Sequence, residues 1–358
     1  MLKRIYLLIT AVCLLSIGVL AQIPAGYYNT ASGKTGNELK AALYEIINDH
    51  TAVSYAGLWT AFQQSDKKPN GKVWDMYSDV PGGTPAYEYT FVSDQCGNYS
   101  GESSCYNREH SFPKSWFNDA TPMYSDMFHL YPTDGYVNGQ RGNYPFGEVS
   151  SPTWTSTNGS KKGACSYPGY SGTVFEPIDE YKGDFARSYF YMVTRYHNVV
   201  QNWSTPMLNG TAYPAFSDWA INLLFEWHNA DPVSQKEIDR NNKIYTSYQH
   251  NRNPFIDNSE YAQLVWNPNG TNVSVTISEN QISVYPNPAS DFINVSLHHS
   301  GVSTYYVADI SGRIVLNGEL NHENATGTIS LNGVSNGIYF LQVVGQHKSS
   351  TIKFVIGK

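Results

Sequence analysis

The chain is poor in charge, in cysteine and in long apolar runs, and each shortage narrows what it can be. Charged residues make up only 15% of the 358 positions. Positive charge is the scarcer sign, with 23 Lys and Arg against 30 Asp and Glu and a net charge of −7. Between Gln22 and Trp266 the count is 17 Lys and Arg against 25 Asp and Glu, a balance of −8. A surface that attracts polyanions everywhere is thereby excluded, because nucleic-acid binders are usually basic. Any such binding must use a local basic strip and a metal ion, with the remaining surface repelling the polyanion. No apolar run beyond residue 20 is long enough to cross a bilayer, which takes ~20 residues. Of four cysteines, Cys13 lies in the apolar N-terminal run. That leaves Cys96, Cys105 and Cys165, enough for one internal bridge at most.

The N-terminus reads as an export signal. Lys3 and Arg4 give a charged start, Ile5 to Leu20 an apolar core too short to span a membrane, and Val19 with Ala21 a small-residue cleavage site. A secreted protein, with residues 1–21 removed, is the expectation. Abundant Gly and Asn and 28 Tyr suit a loop-rich extracellular chain. Cys96 and Cys105 bracket a Gly/Ser/Asn-rich loop and could close it as a disulfide in an oxidising compartment. Cys165 is then a buried thiol or the true partner of one of the others, and sequence leaves that open.

Leu39, Leu43, Ile46 and Ile47 recur at helical spacing, and Thr35 to Glu38 spells a capping box. A first helix is expected within residues 33–50. Further helices are expected over Phe185 to Val200, Trp219 to Trp227 and Gln235 to Tyr248. Val73 to Val80 and Tyr87 to Val92 read as short strands around the Pro81–Pro85 turn. The first domain is thus α+β with long loops, and residues 95–171 hold its chemistry. Past Trp266 a breaker cluster precedes period-two runs at regular spacing, the pattern of a small antiparallel β-sandwich.

That tail carries Tyr285-Pro-Asn-Pro-Ala-Ser-Asp-Phe-Ile-Asn-Val, Asp309-Ile-Ser-Gly-Arg-Ile-Val and Gly337-Ile-Tyr-Phe-Leu-Gln-Val. It resembles the C-terminal sorting domain of proteins exported by type IX secretion. The resemblance implies passage through the outer membrane, with the type IX machinery as partner and release or surface attachment as the outcome. A carbohydrate-binding or adhesive module is the competing reading, since sandwiches host unrelated functions.

The densest reactive group is Asn107-Arg-Glu-His-Ser-Phe-Pro-Lys114, followed by Ser125 to Asn143. Phosphodiester cleavage needs a base that works near neutral pH, which imidazole supplies, and a hard cation to take up developing negative charge. Glu109 and Asn138 offer the carboxylate and amide oxygens that suit Mg²⁺ or Ca²⁺. Neighbouring side chains of a regular strand point to opposite faces. Glu109 and His110 can therefore serve one site only at a strand end, bulge or turn.

Arg108-Glu109-His110 with Pro113 and Ser115, Ser125-Asp126-Met127, Val137-Asn138-Gly139-Gln140-Arg141-Gly142-Asn143, Phe175-Glu176-Pro177, Gly183-Asp184-Phe185-Ala186-Arg187, Trp227-His228 and Gln249 to Phe255 resemble the endonuclease I family. The match runs in order over roughly residues 90–266. It implies a mostly helical nuclease domain holding a ββα-metal (His-Me) finger. His110 would be the general base, Glu109 and Asn138 the metal ligands, and Mg²⁺ the ion, with Ca²⁺ or Mn²⁺ as alternatives. It also implies cutting of DNA, and often of RNA, with little sequence preference and 5′-phosphate ends; a monomer is expected. An arginine that some relatives carry in a longer insertion to stabilise the transition state has no obvious counterpart here. Arg141 is named for that role, with Arg187 and Arg108 as alternatives.

Other groups invite plainer readings. His129 and Asp126 could orient the site or bond structurally. Glu176, Asp184 and Arg187 look like a buried ion network, and His228 with Asp231 and Glu237 like a helix end. Lys114, Arg141, Lys161, Lys162, Lys182 and Arg252 are candidate phosphate contacts, with Trp116, Tyr131 and Tyr144 as base-stacking partners. The divisions expected are a signal over 1–21, a catalytic domain over 22–266, a linker over 267–280 and the sorting domain over 281–358. A surface-binding protein with an inactive nuclease-like domain is the alternative from another class. A zinc hydrolase using His110, His129 and Asp126 is a third.

Overall fold

The computed structural model describes residues 23–267, 282–297, 301–309, 313–322, 326–344 and 349–357. The expected export segment and nearly all of the expected linker lie outside them. The chain divides into two compact units, one on each side of the step from Pro268 to Asn269.

In the first unit, α1 (Gly36–Ile47) buries Leu39, Leu43 and Ile47 as their spacing requires. The expected capping box does not form: Thr35 is extended and its side chain makes no cap bond, and Gly36 bends the entry with φ +57°. Next come α2 (Leu58–Ser65), β1 (Tyr106–His110), β2 (Leu130–Asp134) and α3 (Gly135–Arg141). A meander follows, of β3 (Val149–Thr155), β4 (Lys161–Cys165) and β5 (Thr173–Glu176) in that order, which no sequence pattern had signalled. Then come α4 (Lys182–Arg195), α5 (Asp218–Ala230), α6 (Gln235–Ser247), α7 (Pro254–Asp257) and α8 (Glu260–Trp266).

The core is built around α4, every residue of which is buried, with α1, α5 and α7 packed on it. A helix apolar or paired on all sides is the expected centre of a mostly helical domain. Lys40, on α1, is drawn into this core and fully buried, with its Nζ donating to the Ala212 carbonyl at 2.7 Å and lying 3.0 Å from His197 Nδ1. Capping is realised at α6, where Ser234 and Glu237 bond reciprocally. Cys96 and Cys105 are joined with Cα atoms 5.8 Å apart, and Cys165 is free.

The strands expected over residues 73–80 and 87–92 are not strands; apart from an isolated Lys67–Val73 bridge these segments run as turns and irregular chain. Their alternation serves side-chain anchoring instead. Asp75 accepts from the Tyr77 and Asp134 amides and the Ser78 hydroxyl, while Tyr77, Tyr87 and Tyr89 aim their hydroxyls at Glu109 and Asp134. Backbone groups tied to side chains in this way are lost to a ladder.

Among its described residues the second unit holds seven strands: β6 (Ile282–Tyr285), β7 (Phe292–Leu297), β8 (Gly301–Asp309), β9 (Ile314–His322), β10 (Thr326–Ser330), β11 (Gly337–Val344) and β12 (Ser349–Ile356). They pair antiparallel in sheets of order β10-β7-β6 and β12-β11-β8-β9. Ile293, Val295 and Ile329 from one sheet share a core with Val307, Leu341 and Phe354 from the other. The period-two runs located each of these strands.

Candidate active site

Strands β1 and β2 pair antiparallel, with Glu109 opposite Tyr131 and His110 opposite Leu130. Glu109 and His110 are the last two residues of β1, so the irregularity expected of this pair is a strand end. Helix α3 starts directly after β2, with Asp134 as its N-cap accepting from the Val137 amide at 2.8 Å. The second carboxylate oxygen of Asp134 takes the Tyr87 and Tyr89 hydroxyls and the Ser103 amide. One buried carboxylate thus fixes where α3 begins. The ring of Tyr99, from the disulfide-closed loop, lies over Gly135 and Gly139, where a Cβ would collide with it.

Alternation along β1 divides the site. Asn107 and Glu109 face α3: Asn138 Nδ2 donates to Asn107 Oδ1 at 2.7 Å, and Arg141 Nε lies 3.5 Å from Glu109 Oε1. Arg108 and His110 turn the other way and both meet Tyr55. The reactive groups therefore wrap round the end of β1.

His110 Nε2 is 3.0 Å from the Tyr124 carbonyl. A carbonyl only accepts, so Nε2 carries the proton and Nδ1 keeps the lone pair. Burial pulls the imidazolium of His110 down to about 3, with His129, Lys114 and Arg108 adding to the effect. The ring is held neutral, the form a general base requires.

Glu109 is almost fully buried, and burial raises its carboxyl above the usual range against the opposing pull of Arg141 and Tyr77. The Tyr77 hydroxyl donates to Oε1 at 2.9 Å. Both partners use Oε1, the backbone N–H of His110 also lies against the carboxylate, and among the described residues no side chain bonds Oε2. Asn107 likewise engages the Nδ2 of Asn138, and among the described residues nothing bonds the Oδ1 of Asn138. Two hard oxygen donors thus remain, a set that fits a hard divalent cation completing its shell with water.

Arg141 stands behind Glu109. Its Nη atoms donate to the carbonyls of His110, Ser111 and Gly142 and to the Tyr189 hydroxyl, and it is 1% exposed. Arg187 is bound through two nitrogens to Glu237. The expected Glu176–Asp184–Arg187 network is two clusters. Asp184 lies 3.9 Å from Arg187 as expected and also pairs with Lys236, while Glu176 stands apart, pairing with Lys182 at 3.0 Å and Lys161 at 3.4 Å.

Asp126 does not orient His129; its oxygens take the Tyr191 and Tyr196 hydroxyls, the Gln249 amide and the Phe128 N–H. His129 Nε2 bonds the Met123 carbonyl. Among the described residues no three His, Cys, Asp or Glu side chains gather as metal ligands, so the zinc set weighed at His110, His129 and Asp126 is not assembled.

Several expected substrate contacts are unavailable. Arg141, Lys182 and Arg252 are buried, the last pairing with Asp257 at 2.6 Å, and Trp116 and Tyr131 are buried in the core. Lys114, Lys161, Lys162 and Tyr144 remain at or near the surface. Tyr77, Asn107 and Asp134 position the site but carried no role in the sequence reading. Asn107 stood within the motif, whereas Tyr77 is brought in by folding alone.

An Endonuclease I family profile matches residues 35–260, and a secretion system C-terminal sorting domain profile matches residues 283–357. The extracellular ribonuclease of Bacillus amyloliquefaciens is 35% identical over 253 residues, covering 67% of this chain and 78% of that protein. That of Bacillus subtilis (strain 168) is 37% identical over 250 residues, with the same coverage. A periplasmic deoxyribonuclease of Aeromonas hydrophila is 25% identical over 260 residues, covering 68% of this chain and 94% of the relative.

Proposed function

The chain belongs to the endonuclease I family, and on that premise we propose that it hydrolyses DNA and RNA without sequence preference, with His110 as general base. It is a secreted nuclease bearing a C-terminal sorting domain. The observation that carries the mechanism is the neutral imidazole of His110, proton fixed on Nε2 by the Tyr124 carbonyl, at the strand end where Glu109 and Asn138 present hard oxygens. β1, β2 and α3 are read as the ββα finger.

His110 Nδ1 removes a proton from a water. The water oxygen bonds to phosphorus, the bond from phosphorus to the 3′ oxygen breaks, and that oxygen leaves with a proton from solvent. The products are a 5′-phosphate and a 3′-hydroxyl. A divalent ion, Mg²⁺ in this reading, would be held by Glu109 Oε2 and Asn138 Oδ1 and supply Lewis-acid stabilisation of charge on phosphate. Tyr77 and Arg141 fix the Glu109 carboxylate, Asn107 fixes the Asn138 amide, and Asp134 fixes α3. Arg141 acts through Glu109 as a positioning residue. Phosphate contacts carry no base information, which accounts for cleavage of both nucleic acids.

The proposal is completed by a signal peptide over 1–21, a catalytic unit over 22–266 acting as a monomer, a linker over 267–280 and a type IX sorting unit over 281–358. The test is cleavage of plasmid, single-stranded DNA and RNA by the mature protein, with Mg²⁺ or EDTA, beside His110→Ala. Metal-dependent nicking that the variant loses supports the reading. Equal inactivity of both proteins across divalent metals refutes it.

A further inference from the structure

A base and a cation site leave one demand unmet: the negative charge that grows on the phosphate oxygens facing away from the ion needs a fixed donor. Most arginines of the first unit are committed elsewhere. Arg187, Arg240 and Arg252 are locked to Glu237, Asp66 and Asp257, Arg195 bonds His50, and Arg141 is spent on carbonyls behind Glu109.

Arg108 differs. It shares the His110 face of β1, is only half-buried, and among the described residues has no carboxylate partner. Its guanidinium carbon sits 3.6 Å from the Tyr55 ring centroid and 4.3 Å from that of Trp59. An Nη1 hydrogen bond to the Tyr55 carbonyl, 2.6 Å long, sets its direction, the Tyr55 side chain is its other hydrogen-bond neighbour, and among the described residues no acidic group engages the fork. Two rings and one carbonyl hold the planar cation without neutralising it, the preorganisation that lets arginine bind phosphate bidentately at low entropic cost. Lys114, the other cation beside His110, is bridged to Asp119 at 2.6 Å on an exposed, flexible stem.

We propose that Arg108 is a catalytic residue, donating from its remaining N–H groups to the non-bridging phosphate oxygens as the water attacks. The proposal rests on the phosphodiesterase reading of the same site, and its test separates the two. Steady-state cleavage of a defined oligonucleotide is compared for wild type, Arg108→Gln, Arg108→Lys and Arg108→Gly, with thermal melts and Ca²⁺ calorimetry on each. Arg108→Gln is expected to lose about 10²–10³-fold in kcat, as for removal of one donor to a developing oxyanion. KM and Ca²⁺ affinity should stay within about threefold of wild type, the signature of an interaction made only in the transition state. Arg108→Lys should fall between the two, and guanidinium ion should restore part of the Arg108→Gly activity.

Either kcat within about threefold of wild type in Arg108→Gln, or a loss confined to KM, overturns the role. So does a lowered melting temperature without guanidinium rescue, which would make Arg108 a support for the Tyr55 segment. A wild type showing no metal-dependent cleavage overturns the site reading itself, whatever the variants do.

Discussion

Replacing Arg141 with Met should uncouple the carboxylate of Glu109 from its support. Both side chains are buried, at 1% and 2% exposure, and the pair lies at 3.5 Å. Removing one member of a buried pair leaves an uncompensated charge and costs ~3–5 kcal/mol. For a unit of this size each kcal/mol shifts Tm by roughly 2–4 °C, so the variant should melt ~6–20 °C lower. Glu109 would keep the Tyr77 hydroxyl and the His110 backbone N–H, and a second change, Glu109→Gln, preserves that acceptor while removing the charge. The double variant should therefore be more stable than the sum of the singles by ~1–3 kcal/mol, the range seen for residues in contact.

The pH dependence follows from the sign of the Glu109 shift. Its carboxyl is raised on folding by burial, and Arg141 opposes the rise, so losing Arg141 raises it further. A carboxyl with a folded value above its unfolded one holds more protons when folded, and its contribution is lost as pH climbs through that window. The Arg141→Met deficit should thus be larger at pH 8 than at pH 5, as measured by urea melts at both, and Ca²⁺ calorimetry at pH 8 should show weakened binding. A deficit under ~1 kcal/mol, or strict additivity in the double variant, would refute the coupling.

Two further outcomes are expected. Burial brings His110 down to about 3, so kcat/KM should show no inflection at the ~6.5 of a free histidine; a bend there would mean that the base is solvated. Burial likewise brings Lys40 down from 10.5 to about 7. The unfolded chain then binds the extra proton between those values, and stability gains from this group as pH rises through them. Lys40→Met should flatten that slope between pH 7 and pH 10 in denaturant melts, and an unchanged slope would place the charge in water.

Much of the chain was legible because its patterns are local. Helical spacing located α1, apolar-rich and charged stretches marked α4, α5 and α6, and alternation located each described strand of the second unit, since one buried face per strand leaves its period in the sequence. The strand reading of residues 73–92 failed for a physical reason. Alternating aromatics there bury rings and send hydroxyls to Glu109 and Asp134, and a periodicity count cannot distinguish that use from a sheet. The Glu176–Asp184–Arg187 reading held only for Asp184 and Arg187, which lie 3.9 Å apart; Glu176 belongs to a separate cluster with Lys182, and proximity in sequence said nothing of Glu237 and Lys236, which α6 delivers.

By itself the sequence determined the two-unit organisation, the element types with strong periods, and the motif in which Asn107, Arg108, Glu109 and His110 stand together. Tertiary structure alone decided what each of those neighbours faces. The end of β1 turns Glu109 toward Arg141 and Tyr77, and His110 toward the Tyr124 carbonyl. It also decided which cations are spent. An arginine reads the same in sequence whether a distant carboxylate neutralises it or two aromatic rings leave it free, because charge pairing is a matter of distance and burial.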